Sequence, residues 1–332
     1  MGAIIRKVSH YLPEIILANR DLEKEFNDWS ADKIEAKTGI RERRVASNNE
    51  TSLDLAVGAA EIVLEDYDRD KIDFVILCTQ SPDYFLPTSS CILQERLGLS
   101  TRVGAFDYNL GCSGYIYGLA LAKSLIASGI SRALLLVTAE TYTKFIHPKD
   151  KGNRTIFGDA SAATIIESSE NEHIMEFVLG TDGRGAGNLI VPNGALRNRY
   201  VPGAPEIVDE SGGIRTDNHL YMNGPEILNF TIEAVPKIVN DALQLNKKSL
   251  DDIALVIFHQ ANKFMLDYLR KKIKIPESKF YINMLTVGNT VSSTIPIALQ
   301  DSLARGLLRA GDEVLLVGFG VGYSWGGCVV RI

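Results

Sequence analysis

The 332-residue chain is predicted to be an α/β protein, a sandwich of sheets and helices built from two similar halves. Three observations support this. Short apolar runs without polar alternation (Phe74–Cys78, Ala133–Val137, Ala254–Phe258 and Val314–Val317) suit strands covered on both faces. Helical patterns separate them, over Ser52–Glu65, Ser113–Ala127, Glu226–Leu243 and Ile295–Leu307. The runs are also spaced alike. Sixty residues separate Ile72 from Arg132, and 60 separate Ile253 from Glu313, so the halves are offset by 181 at both ends. The expected units are 1–170, carrying Cys112, and 171–332, carrying His259 and Asn289.

Composition narrows the function classes. The chain is 45% hydrophobic and 23% charged, the balance of a globular protein. Its net charge of −6 argues against a nucleic-acid binder, whose footprint is a basic face. No apolar segment approaches a membrane span, and the start MGAIIRKVSHYLP lacks the apolar region of a signal peptide. Cys78, Cys91, Cys112 and Cys328 are widely spaced with no C-x-x-C pair, so neither a disulfide framework nor a metal site is expected. The expectation is a reduced, cytoplasmic protein.

Taken in chain order, the elements place three polar residues at strand-to-helix junctions. Cys112 lies in Asn109-Leu-Gly-Cys-Ser-Gly-Tyr115, between an apolar strand and the helical Ser113–Ala127, which stops at Gly129. The helix start carries partial positive charge and free N–H groups, which favour thiolate over thiol. Gly111 and Gly114 are expected to permit a sharp turn and to leave room for a substrate at the sulfur. His259 follows the strand of Phe258-His-Gln-Ala-Asn262, and Asn289 lies in a turn that leads into the last helix. Under the 181-residue offset, Cys78 falls on His259 and Cys112 on Ser293, close to Asn289. Each residue alone has a structural explanation: a core thiol, a core histidine, a turn asparagine.

Together they suit one chemistry. A cysteine can hold an acyl group taken from a thioester. Decarboxylation of a malonyl thioester builds charge on its oxygen, which histidine and asparagine N–H groups can stabilise.

Several segments in order resemble the β-ketoacyl-acyl carrier protein synthase III group of the thiolase superfamily. They are Thr38-Gly-Ile-Arg-Glu-Arg-Arg44, Cys112-Ser-Gly, Phe157-Gly-Asp-Ala-Ser-Ala-Ala163, His259-Gln-Ala-Asn262, Gly288-Asn-Thr290 and Gly318-Phe-Gly-Val-Gly-Tyr-Ser-Trp-Gly326. The resemblance implies a thiolase-like five-layered αβαβα sandwich and a homodimer. It implies Cys112 as the acylated nucleophile, with His259 and Asn289 assisting decarboxylation of malonyl-acyl carrier protein. It further implies an oxyanion hole from the backbone N–H groups of Cys112 and Val321, and substrate contacts from Leu86, Phe157, Phe264 and Gly320. No metal or redox cofactor is implied; the substrates are acyl thioesters of coenzyme A or acyl carrier protein. Asp159 reads as a structural turn residue. The glycine clusters at 183–187 and 318–322 do not fit G-x-G-x-x-G, which excludes nucleotide binding through that motif.

Departures from the family pattern concern the acyl donor. Lys33 stands where housekeeping members stack a tryptophan on adenine, and Trp29 lies four residues too early. Lys37, Pro225 and Phe264 replace an arginine, an asparagine and an arginine of the nucleotide clamp. The expectation is therefore a primer that arrives on a carrier protein or an unusual thioester. Leu86 stands where the family has a residue, frequently phenylalanine, that closes the acyl pocket across the dimer; the expectation is either a longer cavity or a gap filled by Phe85 or another bulky group. The Pro- and Gly-rich stretch 191–218 is expected to form an extended loop over the site. Arg41, Arg43, Arg44, Lys263, Arg270, Lys271 and Lys272 are candidates for docking an acidic carrier protein. Two other readings remain at this level: acyl transfer to an alcohol or amine without decarboxylation, and a non-catalytic acyl-binding subunit.

Overall fold

The computed structural model describes residues 1–26 and 29–332. Its two principal sheets each have five strands. In the first, the order is Gly2–Tyr11, Ala160–Ser169, Ala133–Glu140, Phe74–Cys78 and Gly104–Tyr108. In the second, it is Ile174–Thr181, Ser324–Arg331, Glu313–Gly320, Leu255–Phe258 and Phe280–Tyr281. The pairing senses match as well. Phe74–Cys78 is parallel to both its neighbours, as is Leu255–Phe258, and the remaining pairs are antiparallel. The two sheets are thus the same construction made twice, as the repeated spacing predicts.

The uninterrupted apolar runs mark strands with no exposed face. Every residue of Ala133–Glu140 and of Glu313–Gly320 is buried. Helices Gly114–Ala127 and Thr294–Ala304 lie between the sheets, where Ile116, Leu119, Ile295 and Leu299 join one apolar cluster with residues of both. Ser52–Leu64 covers the outer face of the first sheet. Gly224–Leu245 and Lys263–Ile273 cover that of the second. The result is five layers, αβαβα.

Helix ends follow local chemistry. Thr51 accepts a bond from Asp54 N at 3.3 Å, and the Asp54 carboxylate accepts one from Thr51 N at 2.8 Å, which starts the helix at Ser52. The last helix stops at Ala304, short of the Leu307 expected from its apolar pattern. Gly306 takes φ +68° and Leu307 N turns back to donate to Ser302 O at 3.0 Å, which closes the final turn. No helix among the described residues is long and apolar enough to cross a membrane.

Candidate active site

The strands of both sheets end at a shared seam, and the three candidate residues meet there. Cys112, His259 and Asn289 line one cavity of about 180 Å³, with apolar walls from Ile156, Phe157, Leu189, Met222, Ile227, Met265 and Phe319. All three are almost completely buried. Ile156, Gly224, Asn262 and Met265 also line an outer cleft of about 830 Å³, which connects the cavity to the surface.

Cys112 precedes the N-terminus of the helix Gly114–Ala127. The turn is sharp because of its neighbours in space. A Cβ on Gly111 would lie 2.6 Å from both Gln80 Oε1 and Val321 Cγ1, and one on Gly114 would lie 2.4 Å from Cys78 Sγ. These glycines make room for protein atoms, which corrects the expectation that they clear a path for substrate. Gly320 performs the same service from the second sheet, since a Cβ there would stand 2.8 Å from Cys112 Sγ.

The expected thiolate is also corrected. Burial pushes the Cys112 thiol up to about 12, although the backbone N–H groups of Val321 and of Cys112 itself pull the other way. Burial likewise holds His259 down to about 3. Desolvation outweighs the helix terminus, and the resting pair is a neutral thiol beside a neutral imidazole. Alkylation of Cys112 by iodoacetamide, followed by mass spectrometry, is therefore expected to keep accelerating from pH 7 to 10. A plateau below pH 8 would show a preformed thiolate.

His259 is anchored from its main chain, where its N–H donates to Val317 O at 2.8 Å. Its Nδ1 lies 2.8 Å from Thr294 Oγ1, which also stands 3.0 Å from Val291 O. That contact leaves Nε2 for the cavity. Asn289 is fixed by Ile156 O, which accepts its N–H at 2.9 Å, and by Gly158 N, which donates to its carbonyl at 3.0 Å. Its side-chain Oδ1 accepts Val291 N–H at 2.9 Å. The amide orientation follows: with Oδ1 occupied, the Nδ2 hydrogens are the group available to a ligand. Val291 takes φ +56°, a left-handed conformation costly for a β-branched residue. The segment thus stores backbone strain in the turn that orients both Asn289 and Thr294.

Sequence reasoning missed several residues around this centre. Thr294 gave no signal beyond its place at a helix start. Glu140, wholly buried at the end of its strand, accepts from Gln80 N at 3.1 Å, Ser81 Oγ at 3.0 Å and Ser292 Oγ at 3.3 Å. Burial pushes its carboxyl up to about 8. It ties loops of both halves beneath the cysteine. Leu189 and Met222 pair as strand partners and bring the two ends of the 191–218 loop beside the cavity. That loop is largely irregular, as expected, but none of its own residues lines the cavity.

Other expected residues lie further out. Phe157 and Gly320 line the cavity, and Phe264, Pro225, Lys37, Lys263 and Lys271 line the outer cleft. Lys33 does not line the cleft, and Lys37 sits 5.0 Å from the centre of the Trp29 ring. Leu86 is 83% exposed, outside the cavity of its own chain, beside the exposed Tyr84 and Phe85. Lys263 pairs with Asp267, Arg41 with Glu35, and Arg270 donates to Ile275 O at 3.4 Å; neither arginine lines the cleft. Arg43 is a correction. It is fully buried, donates to Leu17 O, Asn19 Oδ1 and Thr155 O, and has no surface to offer a partner. Asp159 is a buried structural acceptor for Ala46 N at 2.8 Å and Thr143 N at 3.0 Å, as expected. Cys328 is buried within the strand Ser324–Arg331, so it adds no second thiol to the cavity.

Two duplicated sheets around a pair of central helices, with a cysteine at the start of one of them, define a thiolase-like enzyme. The 3-oxoacyl-[acyl-carrier-protein] synthase III family model matches residues 106–183, and its C-terminal counterpart matches 243–332. A β-ketoacyl-[acyl-carrier-protein] synthase III of Caldanaerobacter subterraneus is 36% identical over 100% of this chain and 98% of its own. A crystal structure of a 3-oxoacyl-(acyl-carrier-protein) synthase III is 52% identical with a TM-score of 0.98, covering 100% of both chains. One from Burkholderia xenovorans is 33% identical with a TM-score of 0.92, over 100% of this chain and 94% of that one. The chain belongs to the β-ketoacyl-[acyl-carrier-protein] synthase III family, and it is an acyltransferase of that condensing class.

Proposed function

We propose that the chain extends an acyl primer by decarboxylative condensation with malonyl-acyl carrier protein, with Cys112, His259 and Asn289 as the catalytic residues. The observation that carries this reading is their convergence on one buried cavity, with the Asn289 amide held so that it donates. Cys112 Sγ attacks the primer thioester carbonyl, and its proton leaves with the departing thiol. The malonyl thioester then loses carbon dioxide. The enolate oxygen left behind accepts from His259 Nε2–H and Asn289 Nδ2–H. This role requires the ring proton on Nε2, a tautomer in which the Thr294 hydroxyl turns from Val291 O to donate to His259 Nδ1, 2.8 Å away.

The enolate carbon attacks the acyl-cysteine carbonyl. The resulting oxyanion is held by the backbone N–H groups of Cys112 and Val321, and collapse expels the Cys112 thiolate, which is reprotonated. No redox step occurs. The protein environment supports the charge steps, because the cavity walls are largely apolar and fixed donors cost no reorganisation.

The duplicated units of this reading are 1–170 and 171–332, supported by the equal order of the two sheets. A homodimer in the cytoplasm completes it, with the exposed run Tyr84–Leu86 in the subunit contact. Lys37, Lys263 and Lys271 at the cleft face the acidic carrier, and the primer comes from a carrier protein or an unusual thioester rather than from acetyl-CoA.

Incubation with malonyl-acyl carrier protein and a panel of acyl-CoA and acyl-carrier primers tests the whole proposal. The expected results are an acyl mass on Cys112, release of carbon dioxide and a 3-oxoacyl product. Acyl transfer to an alcohol or amine without carbon dioxide release would replace condensation with simple transfer. Labelling of Cys112 by acetyl-CoA as fast as by acyl-carrier donors would overturn the donor assignment.

A further inference from the structure

The two backbone donors proposed for the oxyanion come from different elements. The Cys112 N–H stands just before the helix Gly114–Ala127, and the Val321 N–H stands in the turn that joins Glu313–Gly320 to Ser324–Arg331. Both are turned toward the Cys112 sulfur. Their spacing therefore depends on how the helix start and the turn are held against each other.

Ser113 makes that connection. As the N-cap of its helix it would ordinarily accept a bond from a backbone N–H of the first turn. It makes no such bond. Its wholly buried hydroxyl lies instead 2.6 Å from Ser324 Oγ, in the other sheet. Ser324 is also buried, and its Oγ donates to Val321 O at 3.0 Å. A serine hydroxyl has one hydrogen, so Ser324, with its own on Val321 O, accepts from Ser113. The bonds run from the residue after one donor to the residue that carries the other. Backbone alone would leave the turn loose on this side. Gly320 and Ser324 are strand partners, which puts Val321, Gly322 and Tyr323 at the tip of the hairpin. Gly322 takes φ +137°, a conformation open to glycine and to few other residues. Tyr323 exchanges two backbone bonds with Asp182, at 2.8 and 2.9 Å, which fixes the outer end of the tip. The hydroxyl pair fixes the end that faces the nucleophile.

We infer that Ser113 and Ser324 are positioning residues whose hydroxyl bridge sets the spacing of the two oxyanion donors, a role resting on the proposed acyl transfer at Cys112. The bridge is costly to break, because loss of Ser324 Oγ leaves the Ser113 hydroxyl buried without a partner. The 181-residue offset places Ser113 on Thr294, whose hydroxyl stands against His259 Nδ1. Equivalent positions thus serve the two charge-stabilising groups of the site, one the imidazole and the other the oxyanion hole.

The test compares two reactions of one thiol. Acetyl, butyryl and hexanoyl N-acetylcysteamine thioesters acylate Cys112 through a carbonyl oxyanion, whereas iodoacetamide alkylates it without one. Both start from the thiolate, so the ratio of their rates, read by mass spectrometry at one pH, cancels any change in thiol ionisation. In Ser324→Ala the ratio of acylation by the fastest thioester to alkylation is expected to fall by about tenfold or more, since a misplacement of about 1 Å can cost about 10²-fold. Ser113→Ala cuts the bridge but keeps the Ser324–Val321 bond, and should lower the ratio by about threefold or more. The double variant should be no worse than Ser324→Ala, because the two hydroxyls act as one unit. Ser324→Thr, which keeps the hydroxyl, should hold the ratio within about threefold of the unaltered protein. If Ser324→Ala does not fold, as judged by thermal melting, Ser113→Ala decides alone. An unchanged ratio in either folded alanine variant, or losses that multiply in the double variant, overturns the inference. Failure of all three thioesters to label the unaltered protein overturns the role of Cys112 on which the inference rests.

Discussion

Replacement of Cys112 by alanine is expected to abolish primer transfer and condensation together, by on the order of 10⁴-fold or more, because no other thiol among the described residues lines the cavity. The variant leaves the rest of the machinery in place. The proposed oxyanion donors at residues 112 and 321 are main-chain groups, and His259 and Asn289 are fixed by Thr294, Val291 and Ile156 rather than by the thiol. Malonyl-acyl carrier protein should therefore still lose carbon dioxide in the alanine variant, releasing an acetyl thioester without a carbon–carbon bond. Carbon dioxide release measured beside product mass separates the two half-reactions. A Cys112→Ala protein that still condensed would overturn the mechanism whatever the primer.

The second large effect belongs to Asn289→Asp. This change keeps an Oδ1 acceptor for Val291 N–H, so the side chain stays where it is. It replaces the donor Nδ2 with a carboxylate oxygen, and the developing enolate then meets a like charge in place of a hydrogen bond. Loss of one donor in such a site costs about 10²–10³-fold, and the expected fall in carbon dioxide release is at least this large. Acylation of Cys112 by the primer should be much less affected. The split between the two rates is the diagnostic, since general loss of structure would lower both. If Asn289→Asp decarboxylates at the unaltered rate, Asn289 is a turn residue only.

The fold was legible because buried strands advertise themselves. Phe74–Cys78 and Leu255–Phe258 have no polar face to disguise, and the same 60-residue interval recurs in both halves. Cys112 and His259 were legible as candidates because each follows the end of a strand, and Asn289 because its turn leads into a helix. What escaped depends on distance in three dimensions. The expected thiolate rested on a local feature, the helix start, whereas the cost of burial is set by walls contributed from residues 156, 189, 222 and 319. Arg43 looked like its exposed neighbour Arg41, yet it turns inward to satisfy Leu17, Asn19 and Thr155. Glu140 and Thr294 are ordinary residues in the sequence, and only the meeting of the halves gives them partners.

That meeting has left its cast in the second sheet. A side chain at Gly318 would strike Ser113 Cα at 2.8 Å, and one at Gly326 would strike Ile116 Cγ2 at the same distance. With Gly320 against Cys112, these glycines form a mould of the helix and turn that carry the nucleophile, although they belong to the other copy. The descendants of the duplication are therefore no longer interchangeable. One copy became the reagent and the other became its negative, so neither can drift at these positions without an answering change across the seam.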